Sequence, residues 1–322
     1  MTKRVLVTAM SFRRSAEGLA LLKDNGFDVV LSPYERPLQE AEMLEQLDGI
    51  AAIVAGNDAI TEKVIAAGAP ELKIIARSGV GYNTIDVAAA QRYGVAVTNT
   101  PGANTRSVAE LAVGLMLSLA RNIPRLNERM HNREWPKSVG TELGGKTLGI
   151  VGTGNIGREV IRRAAAFEMN IIAFDMHRCG DLVDKYGEIY RSLDEVFAES
   201  DFLSLHVPAI PGTVNMVNKT TLKIMKRSAY LINTARGELV VEKDLAEALQ
   251  AGVISGAALD TFAAEPLQHD SSLFALNNVI LTPHLGASTG DSAQRVGLMA
   301  AEEVIRVLSG IAPYFPVKPP LL

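Results

Sequence analysis

Two hydrophobic patterns alternate along the first third of the chain. Short apolar runs predict strands, and stretches with apolar residues three and four positions apart predict helices between them. The predicted strands are 5–8, 27–31, 51–54, 72–76 and 95–98. The predicted helices are 16–24, 38–47, 61–67 and 85–93. This alternation indicates a mostly parallel sheet with helices on both faces.

The same alternation resumes after residue 146. The predicted strands are 147–151, 170–174, 202–206, 229–233, 255–259 and 279–282. A helix over 291–308 follows the last strand, and we expect it to return to the first half. The sequence therefore predicts an α/β fold of two doubly wound parallel-sheet domains, Rossmann-like or flavodoxin-like, with a cleft between them. Their expected bounds are 1–99 plus 291–322 for one domain and 100–290 for the other.

A long apolar helix is predicted between the two halves, over 105–121. Its apolar residues cover nearly every side, which indicates burial between domains or between subunits. Pro124 follows it, and 131–143 is expected to be an irregular polar connection around Trp135. Because one domain surface would cover such a helix poorly, we expect a homodimer.

The strand at 147–151 leads into a glycine-rich turn with the spacing G-x-G-x-x-G, formed by Gly152, Gly154 and Gly157. The first glycine permits a sharp turn, the second lets a pyrophosphate approach the backbone, and the third lets the helix pack closely on the sheet. Asp175 ends the next strand, where a carboxylate can bind both hydroxyls of an adenosine ribose. This context favours a dinucleotide site, with a tight turn in an ordinary α/β protein as the alternative.

Three charged or titratable residues follow the late strands, namely Arg236, Glu265 and His284. Ligands bind at the carboxyl ends of the strands in open α/β sheets. An arginine can hold a carboxylate with two hydrogen bonds, and a histidine can exchange a proton near neutral pH. A carboxylate beside the histidine stabilises its charged form. Each residue taken alone has an ordinary structural explanation. The prediction of a catalytic site therefore depends on the three residues occurring together.

Composition and charge narrow the function classes. The chain has 322 residues, 48% hydrophobic and 21% charged, with a net charge of −4, so no general attraction to nucleic acid or to an anionic membrane is expected. Cys179 is the only cysteine, which favours a reducing compartment and a cytoplasmic location. No signal peptide, membrane span or metal-ligand cluster is predicted.

Several motifs together resemble the D-isomer-specific 2-hydroxyacid dehydrogenases. They are the glycine turn with Asp175, Asn-Thr-Ala-Arg-Gly-Glu at 233–238, Ala-Leu-Asp at 258–260 with Glu-Pro at 265–266, and Thr-Pro-His-Leu-Gly-Ala at 282–287. Residues 77–86 and 99–110 make the chain look nearest to the catalytic core of 3-phosphoglycerate dehydrogenases. The resemblance implies an NAD-binding domain at 100–290 and a substrate-binding lid formed by the rest of the chain.

The resemblance also implies roles for individual residues. The implied catalytic trio is Arg236, Glu265 and His284. Asp260 is expected to hold the nicotinamide carboxamide, and Arg236 and the backbone at Ser78–Val80 to hold the substrate carboxylate. The full expected set for NAD is Gly152, Gly154, Asn155, Ile156, Gly157, Asp175, His206, Val207, Pro208, Thr213, Thr234, Ala235, Arg236, Asp260, His284 and Gly286, and for substrate it is Arg77, Ser78, Gly79, Val80 and Arg236.

One departure concerns the substrate. Where phosphoglycerate dehydrogenases place an arginine for the substrate phosphate, this chain has Ala55. Arg77, Arg13 and Arg14 are possible substitutes, although a solvated loop explains the last two. We therefore expect an NAD-dependent oxidoreductase that interconverts a small polar D-2-hydroxy acid and its 2-keto acid. The alternative is an NAD-sensing binding protein of the same fold, like the transcriptional corepressors that share it.

Overall fold

The computed structural model describes residues 2–319, which form two compact units. The first unit contains the residues up to Asn104 together with those from Ala287 onward, and the second is Thr105–Gly286. The chain thus leaves the first unit, forms the second and returns. The sequence placed these junctions at 99/100 and 290/291, a few residues from where the structure has them.

The first unit is built on a five-stranded sheet in which every pair is parallel, with the order β2-β1-β3-β4-β5. Its strands are β1 (Arg4–Val7), β2 (Asp28–Leu31), β3 (Ile50–Ala55), β4 (Ile74–Arg77) and β5 (Ala96–Thr98). Its first helices are α1 (Met10–Arg13), α2 (Ala16–Asp24), α3 (Glu40–Leu44), α4 (Glu62–Gly68) and α5 (Val87–Arg92). Successive strand residues such as Ile53 and Val54 enter separate apolar clusters, because side chains alternate across a sheet.

The second unit is built on a six-stranded parallel sheet with the order β11-β10-β9-β8-β6-β7. Its strands are β6 (Thr147–Val151), β7 (Asn170–Phe174), β8 (Phe202–Leu205), β9 (Tyr230–Asn233), β10 (Gly256–Leu259) and β11 (Val279–Leu281). Its helices are α6 (Thr105–Arg121), α7 (Ile123–His131), α8 (Asn155–Ala165), α9 (Gly180–Tyr186), α10 (Leu193–Glu199), α11 (Lys219–Ile224) and α12 (Glu242–Gln250). The strand order reverses at β6, which places the glycine turn after β6 at the point where such sheets bind ligands.

The last helix, α13 (Gly290–Leu308), belongs to the first unit and packs against α1 and α2. The prediction of two doubly wound parallel sheets is confirmed. Among residues 2–319, no helix combines the length and the apolar character needed to cross a bilayer.

Two expectations about the segment between the sheets require correction. Helix α6 packs on α8, β9 and β10 of its own unit, and seven of its residues belong to an apolar cluster of that unit, so its apolar sides do not require a second subunit. Helix α7 was not predicted. None of its residues is buried, so no hydrophobic face points to a core, and Pro124 lies in its first turn, where proline is tolerated.

Candidate active site

The glycine turn after β6 has the geometry expected for a dinucleotide. Gly152 has a φ of +97°, and a Cβ there would lie 2.5 Å from the carbonyl oxygen of His206. A Cβ on Gly157 would lie 2.0 Å from the carbonyl oxygen of Gly152, so the helix approaches the turn closely. A Cβ on Gly154 would meet nothing within 4 Å. This open space lies at the N-terminus of α8, next to Asn155 and Ile156, where backbone N–H groups and the helix dipole favour a phosphate.

Asp175 connects the end of β7 to this turn. Its Oδ2 accepts hydrogen bonds from the Thr153 amide at 2.6 Å and the Thr153 hydroxyl at 3.2 Å, and its Oδ1 accepts one from the His177 amide at 2.8 Å. Partial burial acts to raise the pKa of Asp175, but these hydrogen bonds outweigh burial and lower it. The carboxylate is therefore ionised at neutral pH and half-buried beside the turn.

His206 follows β8 and faces the same turn through its backbone. Its Nε2 lies 2.9 Å from the hydroxyl oxygen of Ser204, and its amide donates to the carbonyl of Val151 at 2.7 Å. The residue keeps some exposed surface, yet desolvation of the imidazole lowers its pKa to about 3. The ring is consequently neutral at physiological pH. Beside an anionic cofactor, it could therefore act only as a neutral hydrogen-bonding group.

The lowered pKa of His206 predicts acid sensitivity. A histidine in the unfolded chain binds its proton near pH 6.5, whereas the folded ring resists protonation until about pH 3. Stability should therefore fall as the pH drops through this window, by about 2 kcal/mol between pH 7 and pH 5. The variant His206→Gln should lack this loss in urea unfolding at the two pH values. The exposed His131→Gln serves as the control, and an equal loss in wild type and His206→Gln would contradict the assignment.

The other residues expected around NAD lie in loops after β8 and β9. Val207 is half-buried, and the carbonyl of Pro208 accepts a hydrogen bond from the Thr213 hydroxyl at 2.5 Å, which closes the first loop. After β9, the Thr234 hydroxyl is buried, and none of residues 2–319 hydrogen-bonds to it. A buried hydroxyl of this kind calls for a partner, which a bound ligand can provide.

Arg236 is held by a locked turn after β9. The buried side chain of Asn233 brackets the turn, donating to the Arg236 carbonyl at 2.8 Å and accepting from the Ala235 amide at 3.0 Å. A Cβ on Gly237 would lie 1.9 Å from the carbonyl carbon of Phe262, so only glycine lets the two loops touch. Arg236 itself is half-buried and donates to the Ala235 carbonyl at 2.6 Å.

Glu265 and His284 form a direct pair. The Nδ1 of His284 lies 2.8 Å from Oε2 of Glu265, while Oε1 of Glu265 accepts from the Phe262 amide at 3.1 Å. The His284 and Glu265 side chains are 45% and 37% exposed, so the pair is accessible to a substrate. His284 has a φ of +52°, a left-handed conformation that is costly for a residue with a Cβ and occurs mostly where function requires it.

Asp260 explains how this conformation is maintained. Its carboxylate is fully buried and accepts hydrogen bonds from the Thr282 hydroxyl at 2.5 Å and from the amides of Leu285 and Gly286, both at 2.8 Å. These donors flank His284 on both sides, so Asp260 fixes the loop that carries it. The expected contact with the nicotinamide carboxamide stays a prediction, since the structure gives Asp260 a role in holding the loop.

The loop after β4 contains the backbone amides that were expected to bind the substrate carboxylate. The amides of Ser78 and Gly79 already donate to the carbonyls of Ala55 and Arg77, both at 2.9 Å. By contrast, no residue of 2–319 accepts a hydrogen bond from the amide of Val80 or of Gly81. The amides open to a ligand in this loop are therefore those of Val80, which belongs to the expected set, and of Gly81, which does not.

Arg77 precedes this loop, at the end of β4. Its guanidinium donates to the side-chain oxygen of Asn57 and to the Ser78 carbonyl, both at 2.5 Å. Arg13 is half-buried and donates to the Ser32 carbonyl, whereas Arg14 is exposed. Within residues 2–319, no group of three or more histidine, cysteine, aspartate or glutamate side chains is placed to hold a metal ion.

Comparisons with known proteins agree with this geometry. A family model described as "D-isomer specific 2-hydroxyacid dehydrogenase, NAD binding domain" matches residues 113–286. The chain is 43% identical over 277 residues to the D-3-phosphoglycerate dehydrogenase of Methanocaldococcus jannaschii, covering 85% of this chain and 52% of that protein. It is 42% identical over 277 residues to the hydroxypyruvate reductase of Thermotoga maritima, covering 84% and 89%.

A solved structure supports the fold independently. The crystal structure of the TT0316 protein from Thermus thermophilus superposes with a TM-score of 0.89 at 34% identity, covering 98% of this chain and 99% of that chain. The share of the relative's length that the chain covers differs among the relatives. The chain spans about half the length of the curated phosphoglycerate dehydrogenases that it matches.

Proposed function

Because the chain belongs to the D-isomer-specific 2-hydroxyacid dehydrogenase family, we propose that it is an NAD-dependent oxidoreductase interconverting a D-2-hydroxy acid and its 2-keto acid. The observation that carries the proposal is the 2.8 Å pair of His284 and Glu265. Arg236 follows β9, Glu265 follows β10 and His284 follows β11, so three adjacent strands deliver the catalytic trio to one edge of the sheet. A proton donor, its carboxylate partner and a carboxylate-binding cation are the groups that this reaction needs.

The trio divides the work of keto-acid reduction. Arg236 binds and orients the substrate carboxylate through a two-pronged hydrogen bond. Protonated His284 donates its Nε2 proton to the keto oxygen, while Glu265 at Nδ1 stabilises the imidazolium and fixes the orientation of the ring. In the reverse direction, neutral His284 accepts the proton of the 2-hydroxyl group. NADH, when bound, supplies the hydride for C2.

The residues around the glycine turn fit this cofactor. The open space at Gly154 leaves room for the pyrophosphate, Asp175 offers ionised acceptors for the ribose hydroxyls, and the buried Thr234 hydroxyl has hydrogen-bonding capacity to spare. The substrate carboxylate is assigned to Arg236. In the first unit, the amides of Ser78 and Gly79 are already engaged by backbone carbonyls, so only those of Val80 and Gly81 are open to an anion in that loop.

We further propose that the substrate is a small polar 2-keto acid such as hydroxypyruvate or glyoxylate. Ala55 is fully buried in β3 and has no charge to offer a phosphate. The test is steady-state reduction of glyoxylate, hydroxypyruvate and 3-phosphohydroxypyruvate with NADH by the purified protein. Reduction of the first two at least as efficiently as the third supports the proposal. NADH binding without turnover of any acid would favour the NAD-sensing alternative.

Asp175 predicts a preference for NADH over NADPH. Its ionised carboxylate would repel a 2′-phosphate and accept hydrogen bonds from free ribose hydroxyls. The variant Asp175→Ala should raise KM for NADH about tenfold and narrow the difference between the two cofactors. The control is Asp184→Ala, on the exposed side of α9. Equal efficiency of wild type with NADH and NADPH would refute the assignment.

We propose a homodimer whose interface includes the segment that follows α6. Apolar side chains with exposed fractions of 51%, 47%, 83% and 97% lie on α7 and the loop after it, at Ile123, Met130, Trp135 and Val139. The far end of this segment is tied to α6, because the Thr141 amide donates to the Ala120 carbonyl at 2.8 Å. Several large exposed apolar side chains within one short segment are typical of a subunit interface, and a second copy of this chain is the proposed occupant.

Light scattering at micromolar concentration tests the dimer. Wild type should show the mass of two 34.5 kDa chains, and the combined variant Trp135→Ala/Val139→Asp should show one. Since both side chains are exposed, the change should leave the folded subunit intact. Ile311→Asp, at an exposed apolar residue near the end of the chain, is the control. A monomeric wild type would rule the proposal out.

A cytoplasmic location is also proposed. Cys179 is the only cysteine, so no intrachain disulfide can form, and a reducing compartment suits such a chain. Fractionation of the source cells, followed with an antibody against the protein, tests this location.

A further inference from the structure

Tyr190 is a buried tyrosine that none of the roles assigned so far explains. It lies after α9, in a short segment that pairs in parallel with the edge strand β7 at Ala173. Its side chain is 4% exposed and packs in an apolar cluster that also contains residues of α6 and α8. A buried tyrosine hydroxyl normally has a hydrogen-bond partner, so the partners of this one indicate what the residue does.

The Tyr190 hydroxyl connects two loops of the second unit. Its oxygen accepts a hydrogen bond from the Cys179 amide, at the N-terminus of α9, over 2.8 Å. It also lies 3.0 Å from the hydroxyl oxygen of Thr153, the residue between Gly152 and Gly154. A single buried hydroxyl therefore ties the glycine turn after β6 to the loop after β7.

The direction of each hydrogen bond follows from the groups at the two ends. An ionised carboxylate can only accept, so the Thr153 hydroxyl donates its one hydrogen to Oδ2 of Asp175 at 3.2 Å. The Thr153 oxygen must then accept from the Tyr190 hydroxyl, whose own oxygen accepts from the Cys179 amide. The result is a chain of hydrogen bonds that runs from this amide through two hydroxyls to the Asp175 carboxylate.

The hydrogen bonds at Asp175 leave one acceptor position open. Within residues 2–319, Oδ2 accepts two bonds, from the amide and the hydroxyl of Thr153, which use both of its lone pairs. Oδ1 accepts one bond, from the His177 amide, and keeps one lone pair. The carboxylate is therefore held in an orientation in which Oδ1 is the oxygen left for a ribose hydroxyl.

Loss of the Tyr190 hydroxyl would disturb this orientation from two sides. The oxygen of the buried Thr153 would lose its donor, and the Cys179 amide would lose its acceptor. Because unpaired buried groups are unfavourable, the glycine turn and the start of α9 would move to find other partners. Hydrogen bonds in a chain strengthen one another, so the bond from Thr153 to Asp175 would weaken as well.

We propose that Tyr190 is a positioning residue for the cofactor, whose hydroxyl orders the glycine turn and the loop after β7 so that Asp175 presents Oδ1 to the adenosine ribose. The inference rests on the proposed function, because it assumes that Asp175 binds the ribose of NADH. Tyr190 acts through Thr153 and Asp175, so its effect on cofactor binding should depend on the Asp175 carboxylate.

The first experiment measures Kd for NADH by fluorescence titration. Tyr190→Phe should raise Kd about fivefold, the effect of losing one hydrogen bond, while kcat and KM for the keto acid keep their wild-type values. The matched control is Tyr186→Phe. Tyr186 lies on α9 and packs against the same apolar cluster, but none of residues 2–319 hydrogen-bonds to its hydroxyl. An unchanged Kd in Tyr190→Phe overturns the proposal.

A double-mutant cycle then distinguishes positioning from a general loss of packing. In the Asp175→Ala background, Tyr190→Phe should change Kd for NADH by less than about twofold, because the carboxylate through which it acts is gone. A second fivefold loss in that background overturns the proposal. Thr153→Val should weaken NADH binding as much as Tyr190→Phe, and Thr153→Ser, which restores the hydroxyl, should recover most of the loss.

A third measurement needs no cofactor. Cys179 is the only cysteine, so the rate of its reaction with an aromatic disulfide reagent reports on the start of α9. Tyr190→Phe should increase this rate about fivefold, because the Cys179 amide loses its anchor, and Tyr186→Phe should not. Equal rates in Tyr190→Phe and wild type overturn the proposal.

The same titrations separate this inference from the proposed function. A wild type that does not bind NADH overturns the proposed cofactor and the role of Tyr190 with it. A wild type that binds NADH, with the same Kd in Tyr190→Phe, overturns the role of Tyr190 alone.

Discussion

The variant His284→Ala is expected to lower kcat for keto-acid reduction by ~10³-fold while the protein still binds NADH. Within residues 2–319, His284 is the only titratable side chain hydrogen-bonded to Glu265, whose other carboxylate oxygen accepts from the Phe262 amide. Two of the groups proposed for NADH, the glycine turn and Asp175, follow β6 and β7, which lie at the other end of the strand order from β11 and His284. The variant should therefore lose turnover, as measured by steady-state kinetics, and keep its affinity for NADH, as measured by fluorescence titration.

The control for this variant is His269→Ala. His269 is an exposed histidine in the loop between Glu265 and β11, so it tests the effect of losing an imidazole nearby without touching the pair. Its kcat should stay within about twofold of wild type. A His284→Ala variant that keeps a tenth or more of wild-type kcat would show that another group transfers the proton.

The positions of Arg236, Glu265 and His284 at one edge of the sheet could be predicted from sequence, because the signals for the strand ends are local. Apolar runs locate the ends of β9, β10 and β11, and the residues that follow such runs in a parallel sheet meet at one edge. The glycine spacing after β6 is equally local, and its steric reason is visible in the 2.0 Å approach at Gly157. In the structure, Arg236, Glu265 and His284 follow β9, β10 and β11, and the glycine turn follows β6, as the sequence pattern predicts.

The backbone amides that are open to an anion after β4 could not be predicted in detail. The register of backbone hydrogen bonds decides which amides are available. Ser78 continues the sheet pairing with Ala55, and Gly79 closes a tight turn onto Arg77. Both are backbone hydrogen bonds, so the side chains in the sequence do not indicate them. Helix α7 was not predicted because none of its side chains is buried, and pattern analysis detects a helix by its buried apolar face.

The loops that hold the residues proposed for catalysis contact one another closely. Gly237 fits against the peptide after Phe262, and Asp260 binds both flanks of the His284 loop. The loops after β9, β10 and β11 thus restrain one another before any substrate binds. Such preorganisation reduces the entropy that must be lost when the substrate is positioned, which is a large part of the catalytic advantage of an enzyme.

Arg236→Gln is expected to raise KM for the keto acid by ~10²-fold, about 3 kcal/mol of lost binding, with little change in KM for NADH. Asn233 and Gly237 hold the backbone of this residue in place, so the variant should lose the guanidinium without losing the loop. Arg236→Lys restores the charge but not the planar fork, and should recover only part of the loss.

The matched control is Arg227→Gln. Arg227 is exposed and precedes β9, whereas Arg236 follows it, so the two arginines lie at opposite ends of one strand. Kinetics on hydroxypyruvate and glyoxylate should be unchanged in the control. Full recovery in Arg236→Lys would show that charge alone holds the substrate, because a lysine cannot reproduce two parallel hydrogen bonds to one carboxylate. An unchanged KM in Arg236→Gln would instead show that Arg236 does not bind the substrate carboxylate.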